Sequence, residues 1–331
     1  MNRRPSGQIP LEEGIQGFLQ FKTAEGLSPR TIESYQHHLR IFLEQIGNIP
    51  ITTINSSAIA QYLAWLRVDY PPIRMNGNTD PISKKTLRNH WVTLSSLFGW
   101  YAREFEGSNP VKKVPPPKFE KTQIEPFSKE DIEALLKVCV YTREANTYFR
   151  RSFSMRRATA NRDKSILLSL LDTGLRASEF CSLLIGDFEI ETGRLEIKPG
   201  QQGGAKGGRG RIVYLGKTAR KALWRYLIER EDKEDPDAPL YLSTRGRKYT
   251  PNALGHLVRS LGKRAQVPSC FPHRFRHTFA ITYLRSGGDI FTLQSLLGHR
   301  SLEMVQHYAR VAQIDLQQAH RKASPVDNWR L

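Results

Sequence analysis

The sequence predicts a mainly α-helical protein of two units, and three features carry that prediction. Apolar residues recur at helical spacing over most of the chain. Strand-like alternation is confined to one stretch around Gly-rich turns, which gives one small antiparallel sheet. A proline-rich segment without periodicity divides the pattern about a third of the way along. With 331 residues and 39% apolar content, the chain can supply a core to each unit.

The first unit, residues 1–107, reads as four helices. LEEGIQGFLQFKTAEG sets Ile15, Phe18 and Leu19 on one face and ends near Gly26. Ser28 followed by Pro29 offers an N-cap with proline at the first helical position, opening a helix whose apolar face is Ile32, Tyr35, Leu39, Phe42, Leu43 and Ile46. SSAIAQYLAWLRVDY and SKKTLRNHWVTLSSLFGWYAREF repeat the pattern around a loop, PPIRMNGNTDPIS. Residues 108–126 hold prolines and lysines without periodicity and read as a semi-rigid extended linker.

The second unit spans 127–331. Ser128 caps a helix with acids in its first turn. The stretch 141–164 holds seven basic residues and two acidic ones, among them Arg150, Arg151, Arg156 and Arg157, and is either a DNA-contacting loop or a solvated basic surface. SILLSLLDTG then forms a buried helix ending at Gly174, and LRASEFCSLL opens the next. GDFEIETGRLEIKPG and RIVYLG supply the strands of the sheet, and helices resume to the end.

Fifty Lys+Arg against 32 Asp+Glu give a net charge of +18, which favours a polyanionic partner, nucleic acid first. The excess concentrates from residue 127 onward, with 35 basic and 21 acidic residues. Cys139, Cys181 and Cys270 are odd in number, widely spaced and lack CxxC pairing. This speaks for a reducing compartment, with all three as small core residues. No apolar run is long enough to span a membrane and the start lacks a signal-peptide core, so the expected location is the cytosol.

The chemistry-bearing residues lie in separated basic clusters ending in a tyrosine. In the stretch from Pro272, His273 and Arg276 stand three apart and share one helical face, while Phe275, Phe279 and Thr282 turn toward packing. A second helix is capped by Asp289 and stopped by Gly298. His299 follows in the turn, and a last helix opening at Ser301 carries Tyr308. His273 and His277, at i and i+4, invite a zinc reading, but Arg274 and Arg276 lie where a metalloprotease needs a glutamate. Gly216-Lys217-Thr218 mimics a phosphate loop, yet Gly210 is one residue too far upstream. His37, His38 and His90, on amphipathic helices, are structural or near DNA. Lys84, Lys85 and Arg88 are DNA contacts or solvated surface in equal measure.

The stretches TGLRASE, GAKGGRGRIVYL, PHRFRHTFA and LLGH, followed by Tyr308, resemble in kind and order the motifs of the tyrosine recombinases, the phage integrase and Xer-type group. The first unit is similar to that family's helical, SAM-like core-binding domain. The resemblance implies a catalytic set of Arg176, Lys206, His273, Arg276, His299 and Tyr308, with Glu179 as the acidic neighbour of Arg176. It implies cleavage and rejoining of duplex DNA through a 3′-phosphotyrosine bond, without metal, ATP or other cofactor. It also implies inverted-repeat half-sites, a homotetramer on DNA, an accessory protein setting direction, and a nucleoid-associated location. No separate arm-binding domain is expected, since the core-binding helices come almost at the start of the sequence. Beyond Tyr308, the tail is expected to pack on a neighbouring protomer.

Elementary chemistry gives these roles sense. A tyrosine with an ordinary pKa of about 10 needs help in losing its proton, and the phosphoryl oxygens need fixed positive charge. Arg176 and Arg276 are permanently charged forks matched to phosphate, and Lys206, on a Gly-rich turn, suits the general acid by analogy with the family that the sequence resembles. His273 suits the base and His299 a donor to a phosphoryl oxygen, although the sequence does not fix which histidine does which. Two other readings stay open: a catalytically silent DNA binder of the same fold, and a type IB topoisomerase-like or hairpin-resolving enzyme.

Overall fold

The computed structural model describes residues 9–331 except 73, 75, 76, 106, 121–123, 143, 144, 148, 149, 200–209, 300, 313–323, 325 and 327–331. At 145–147 and 150–152 it describes the backbone alone. The chain separates into two compact units, Met1–Thr122 and Gln123–Leu331.

The amino-terminal unit is built from α1 (Leu11–Ala24), α2 (Pro29–Ile46), α3 (Ser56–Val68) and α4 (Lys84–Glu104). Side-chain caps start three of them: Ser28, Asn55 and Ser83 accept from the backbone N–H of Thr31, Ala58 and Thr86. One apolar face from each helix meets in a core centred on Phe18, Leu39, Phe42, Ile59, Leu97 and Phe98. The apolar face expected of α2 is rotated. Leu39, Ile41 and Phe42 are buried together with His38, while Ile32, Tyr35, Leu43 and Ile46 lie at its margin.

Within the Pro/Lys-rich stretch, Pro110–Lys113 forms a 3-10 turn that sends Val111 and Val114 into this core. The Trp91 indole N–H donates to the Val114 carbonyl at 3.0 Å. The prolines exclude an α-helix, but two valines at i and i+3 of a tight turn reach the same side and give that turn a reason to pack.

The carboxy-terminal unit contains α5 (Lys129–Val140), β1 (Ala145–Thr147), β2 (Arg150–Phe153), α6 (Ala160–Thr173), α7 (Ala177–Ser182), β3 (Arg194–Ile197) and β4 (Arg211–Tyr214). It continues with α8 (Lys217–Leu227), α9 (Pro251–Ala265), α10 (Pro272–Arg285), α11 (Ile290–Leu297) and α12 (Glu303–Ala312). Helix α5 opens with a reciprocal cap between Ser128 and Asp131. The expected sheet is the antiparallel pair β3–β4, in register from Arg194 opposite Tyr214 to Ile197 opposite Arg211. Its buried face is Leu195, Ile197 and Val213.

Three local expectations are corrected. The basic stretch 141–164 is not a single loop: it carries a second antiparallel pair, β1–β2, and its last residues begin α6 at Ala160. That start holds because Asp163, fully buried, meets the Arg157 guanidinium at 2.9 Å and the Arg162 guanidinium at 2.7 Å. Helix α12 begins at Glu303 rather than Ser301, and Thr282 is exposed rather than packed.

Helix α6 is the spine of this unit, packing against α5, α8 and α10. Its C-terminus is closed by Gly174 in the left-handed region at φ 59°. A Cβ there would lie 2.5 Å from the Phe279 ring, so glycine is required twice over. Among the described residues, no helix is long and apolar enough to cross a membrane.

Candidate active site

Four chain segments converge beyond the C-terminus of α6. The first is the turn from Gly174 into α7. Arg176 precedes α7, and its backbone N–H donates to Glu179 Oε2 at 2.9 Å while its guanidinium reaches Oε1 at 2.8 Å. Glu179 is fully buried and Arg176 keeps about a quarter of its side chain exposed. Burial alone pushes the Glu179 carboxyl up. The bonds and charge of Arg211, followed by those of Arg176, outweigh it and hold the group below the ordinary carboxylate value.

The second segment is β4. Arg211, its first residue, places both terminal nitrogens on Glu179, Nη1 to Oε1 at 3.0 Å and Nη2 to Oε2 at 2.7 Å. Sequence reasoning passed over this residue. The signal was present: Arg211 alternates with Val213 and Leu215, so it belongs to the face of the strand that is buried.

The third segment is α10. Arg276 is 1% exposed. It donates to the carbonyls of Gly174 and Leu297 at 2.8 Å each and to His299 Nε2 at 2.7 Å. Burial, and then the charge of Arg176, lower its pKa to about 10, so it remains a cation at neutral pH. His273, one turn earlier, is exposed. Partial desolvation, followed by the charges of Arg276 and Arg176, lowers its pKa. His277 stands edge-on to both His273, at 4.6 Å between ring centroids, and Tyr308, at 5.2 Å. Burial first, and the neighbouring His273 next, bring His277 to about 4.

The fourth segment runs from α11 to α12. Asp289 caps α11 and Gly298 ends it at φ 63°, which turns the chain so that His299 faces Arg276. His299 is 9% exposed, and burial with the Arg276 charge lowers its pKa to about 4, so the ring is neutral at physiological pH. An arginine can only donate, so His299 Nε2 accepts and Nδ1 carries the proton. That Nδ1–H is buried and has no hydrogen-bond partner among the described residues. Tyr308, on α12, is 5% exposed and lies nearly parallel to the His299 ring, 9° between planes and 6.1 Å between centroids. Burial raises the phenol pKa. Arg276, by charge and a hydrogen bond, and then Arg176 oppose the rise.

Arg176, Glu179, His273, Arg276, His299 and Tyr308 therefore share one centre. Lys206 lies outside the described residues, between β3 and β4. The carboxy-terminal tail from residue 313 also lies outside them, apart from Ser324 and Val326. Of the other expected contacts, Lys84, Lys85 and Arg156 are exposed. Arg88 lies over the Trp91 ring and donates to the Pro117 carbonyl, and Arg157 is turned inward to Asp163 and the Cys139 carbonyl. The side chains of Arg150 and Arg151 are not among those described. Among the described residues, no group of three or more His, Cys, Asp or Glu is arranged to hold a metal ion.

Residues 125–314 match the phage integrase family, and residues 15–106 match its N-terminal SAM-like domain. The chain belongs to the phage integrase family. By that membership it is a site-specific DNA recombinase of the tyrosine class. It is 30% identical to tyrosine recombinase XerC of Pelobacter propionicus over 324 residues, covering 96% of both chains. It is 28% identical to tyrosine recombinase XerA of Thermococcus kodakarensis, covering 95% of this chain and 96% of that one. The fold of this recombinase is also that of the Tn1549 transposon integrase in its complex with a circular intermediate DNA. That likeness has a TM-score of 0.69 at 19% identity, over 91% of this chain and 94% of that one.

Proposed function

We propose that this recombinase cleaves one strand of duplex DNA by attack of Tyr308 Oη on phosphorus. The Oη–P bond forms and the P–O5′ bond breaks, leaving a 3′-phosphotyrosine link and a free 5′ hydroxyl; rejoining is the reverse step. The phenol proton passes to His273, and Lys206 gives a proton to the departing O5′. Arg176 and Arg276 hold the non-bridging oxygens, and the Nδ1–H of His299, without a partner among the described residues, is the third donor to them. The phosphodiester energy stays in the tyrosine ester, so no ATP enters the cycle.

The observation that carries this reading is the buried tyrosine set against a fixed guanidinium and an N–H with no partner among the described residues. Arg276 is already held by three acceptors in place, so little reorganisation accompanies the appearance of charge on phosphorus. Glu179 receives four donors, two on each oxygen, and has no lone pair left to ligate a cation or take a proton.

The substrate we assign is duplex DNA with inverted-repeat half-sites, engaged by a homotetramer in the cytoplasm, with an accessory protein setting direction. Residues 1–107 and 127–331, joined through 108–126, both contact the duplex, with Lys84, Lys85 and Arg156 placed to meet phosphates. The +18 charge and the resemblance to the family support this assignment.

The test is denaturing capture in EDTA of protein-bound DNA from wild type and Tyr308→Phe, followed by sequencing. An adduct on wild type alone, enriched for one inverted repeat, is the expected result. DNA binding without any adduct refutes the phosphotyrosine step and favours a silent binder. Relaxation of plasmids lacking the enriched site would point instead to a topoisomerase.

A further inference from the structure

Arg211 belongs to none of the roles given above, yet three parts of the centre meet on it. Its fork covers both oxygens of Glu179, and its Nε donates to the Leu296 carbonyl at 2.7 Å. Leu296 and Leu297 end α11, where carbonyls have no partner within the helix. Arg211 takes the first and Arg276 the second, so two arginines cap the helix end from which His299 is projected. The guanidinium lies directly on Gly298, where a Cβ would stand 3.0 Å from Nη1. Arg211 is also the residue at which the segment carrying Lys206 re-enters the sheet, opposite Ile197.

We propose that Arg211 is a positioning residue for cleavage. By saturating Glu179 and holding the end of α11, it fixes Arg176 and the His299 turn against the reacting phosphate and leaves the Arg176 charge for that phosphate. The inference rests on the roles proposed above for Arg176 and Tyr308. Its electrostatic basis is a count of fixed charges. Arg176 and Glu179 alone would neutralise one another, whereas Arg211 brings the trio to a net positive charge beside Arg276. The side chain is 8% exposed and does not itself reach solvent-borne substrate, so it acts through its neighbours.

The same geometry gives a signature that a purely structural residue would lack. The groups facing Glu179 are Arg176 on its own turn, Arg211 on β4 and, farther off, Arg276 on α10. Without Arg211, a fully buried carboxylate keeps one guanidinium and one backbone N–H, and burial moves it toward its neutral form. A protonated Glu179 can no longer accept all its bonds from Arg176, so activity falls as pH is lowered.

Three variants are compared with wild type by single-turnover formation of the phosphotyrosine adduct on saturating, nicked half-site DNA between pH 5 and 8, with melting temperature recorded for each. Arg211→Gln is expected to lose adduct formation on the order of 10²-fold with little change in half-saturating DNA, and to gain an acid limb in addition to the one that protonation of His273 gives wild type. Arg211→Lys is expected to recover about tenfold of that loss, since it returns the charge but not the fork. In Arg211→Gln combined with Glu179→Gln, the extra acid limb disappears, because the titrating carboxyl is gone.

Folded Arg211→Gln that cleaves at the wild-type rate with the wild-type pH profile overturns the proposal. So does a loss whose pH profile is unchanged by the Glu179 substitution. Failure of wild type itself to form the adduct overturns instead the phosphotyrosine reading on which the proposal rests.

Discussion

Lowering the pH from 7 to 5 should remove a large part of the stability of the amino-terminal unit, and two buried histidines are the reason. His38 on α2 and His90 on α4 are 9% and 3% exposed, with ring centroids 4.2 Å apart. Thr93 Oγ1 already donates to the Asn89 carbonyl, so it accepts from His38 Nδ1 at 2.9 Å; His90 Nδ1 meets the Tyr62 hydroxyl at 3.0 Å. Neither ring is paired with a carboxylate among the described residues, and His37 adds a third ring beside His38. Burial, and then the neighbouring histidines, bring His38 to about 4 and His90 to about 3.

Both folded values lie below the unfolded value of about 6.5, so the unfolded chain binds more protons as pH falls and stability is lost in that direction. At pH 5 the unfolded chain holds nearly two protons that the folded unit refuses. At about 1.4 kcal/mol per pH unit and site, over the roughly 1.5 pH units between the unfolded pKa and pH 5, the loss is about 4 kcal/mol against a typical 5–15. The result is insensitive to the folded values as long as both stay below 5.

Urea unfolding read by tryptophan fluorescence suits the measurement, because Trp65, Trp91 and Trp100 all lie in this unit. The variant His38→Asn, His90→Asn keeps a donor or acceptor near each Nδ1 position without titrating. Wild type should lose between about a quarter and four-fifths of its urea midpoint for this unit between pH 7 and 5, and the double variant should not. Equal midpoints at the two pH values in wild type, or full acid sensitivity in the double variant, would refute the reasoning.

Gly174→Ala combines a left-handed backbone cost of roughly 1–2 kcal/mol with overpacking against Phe279 of roughly 1–3 kcal/mol. Calorimetry should show the carboxy-terminal unit melting roughly 5–15 °C lower. The three cysteines are buried, and desolvation raises Cys139 and Cys181 to about 12 and Cys270 to about 11. An aromatic disulfide reagent at pH 8 should therefore titrate no thiol in the native protein and all three in denaturant. If Lys206 is the general acid, Lys206→Ala should slow cleavage by about 10²–10⁴-fold. Replacing the leaving 5′ oxygen by sulfur, which departs without a proton, should restore the rate; equal slowing of both substrates would remove that role.

Much of this protein follows from local chemistry that any reader of the chain can apply. Ser28, Ser128 and Asp289 are caps because a short oxygen side chain next to an amphipathic run satisfies an otherwise unpaired N–H. Gly174 and Gly298 stop helices because only glycine enters the left-handed region freely. The ordered motifs around Arg176, His273, Arg276, His299 and Tyr308 likewise lie in the sequence itself, since each motif is a short contiguous stretch. What the sequence could not decide are contacts between residues far apart in it. The start of α6 in the basic stretch depends on Asp163 being neutralised by Arg157 and Arg162, and charged letters alone read as a solvated loop. The proton on His299 Nδ1 depends on Arg276, 23 positions away, and the saturation of Glu179 depends on Arg211, 32 positions away. Short-range periodicity determines which segments become helices. Only the tertiary structure, by burying charges that must then find partners, decides which arginines face the substrate and which hold the others in place.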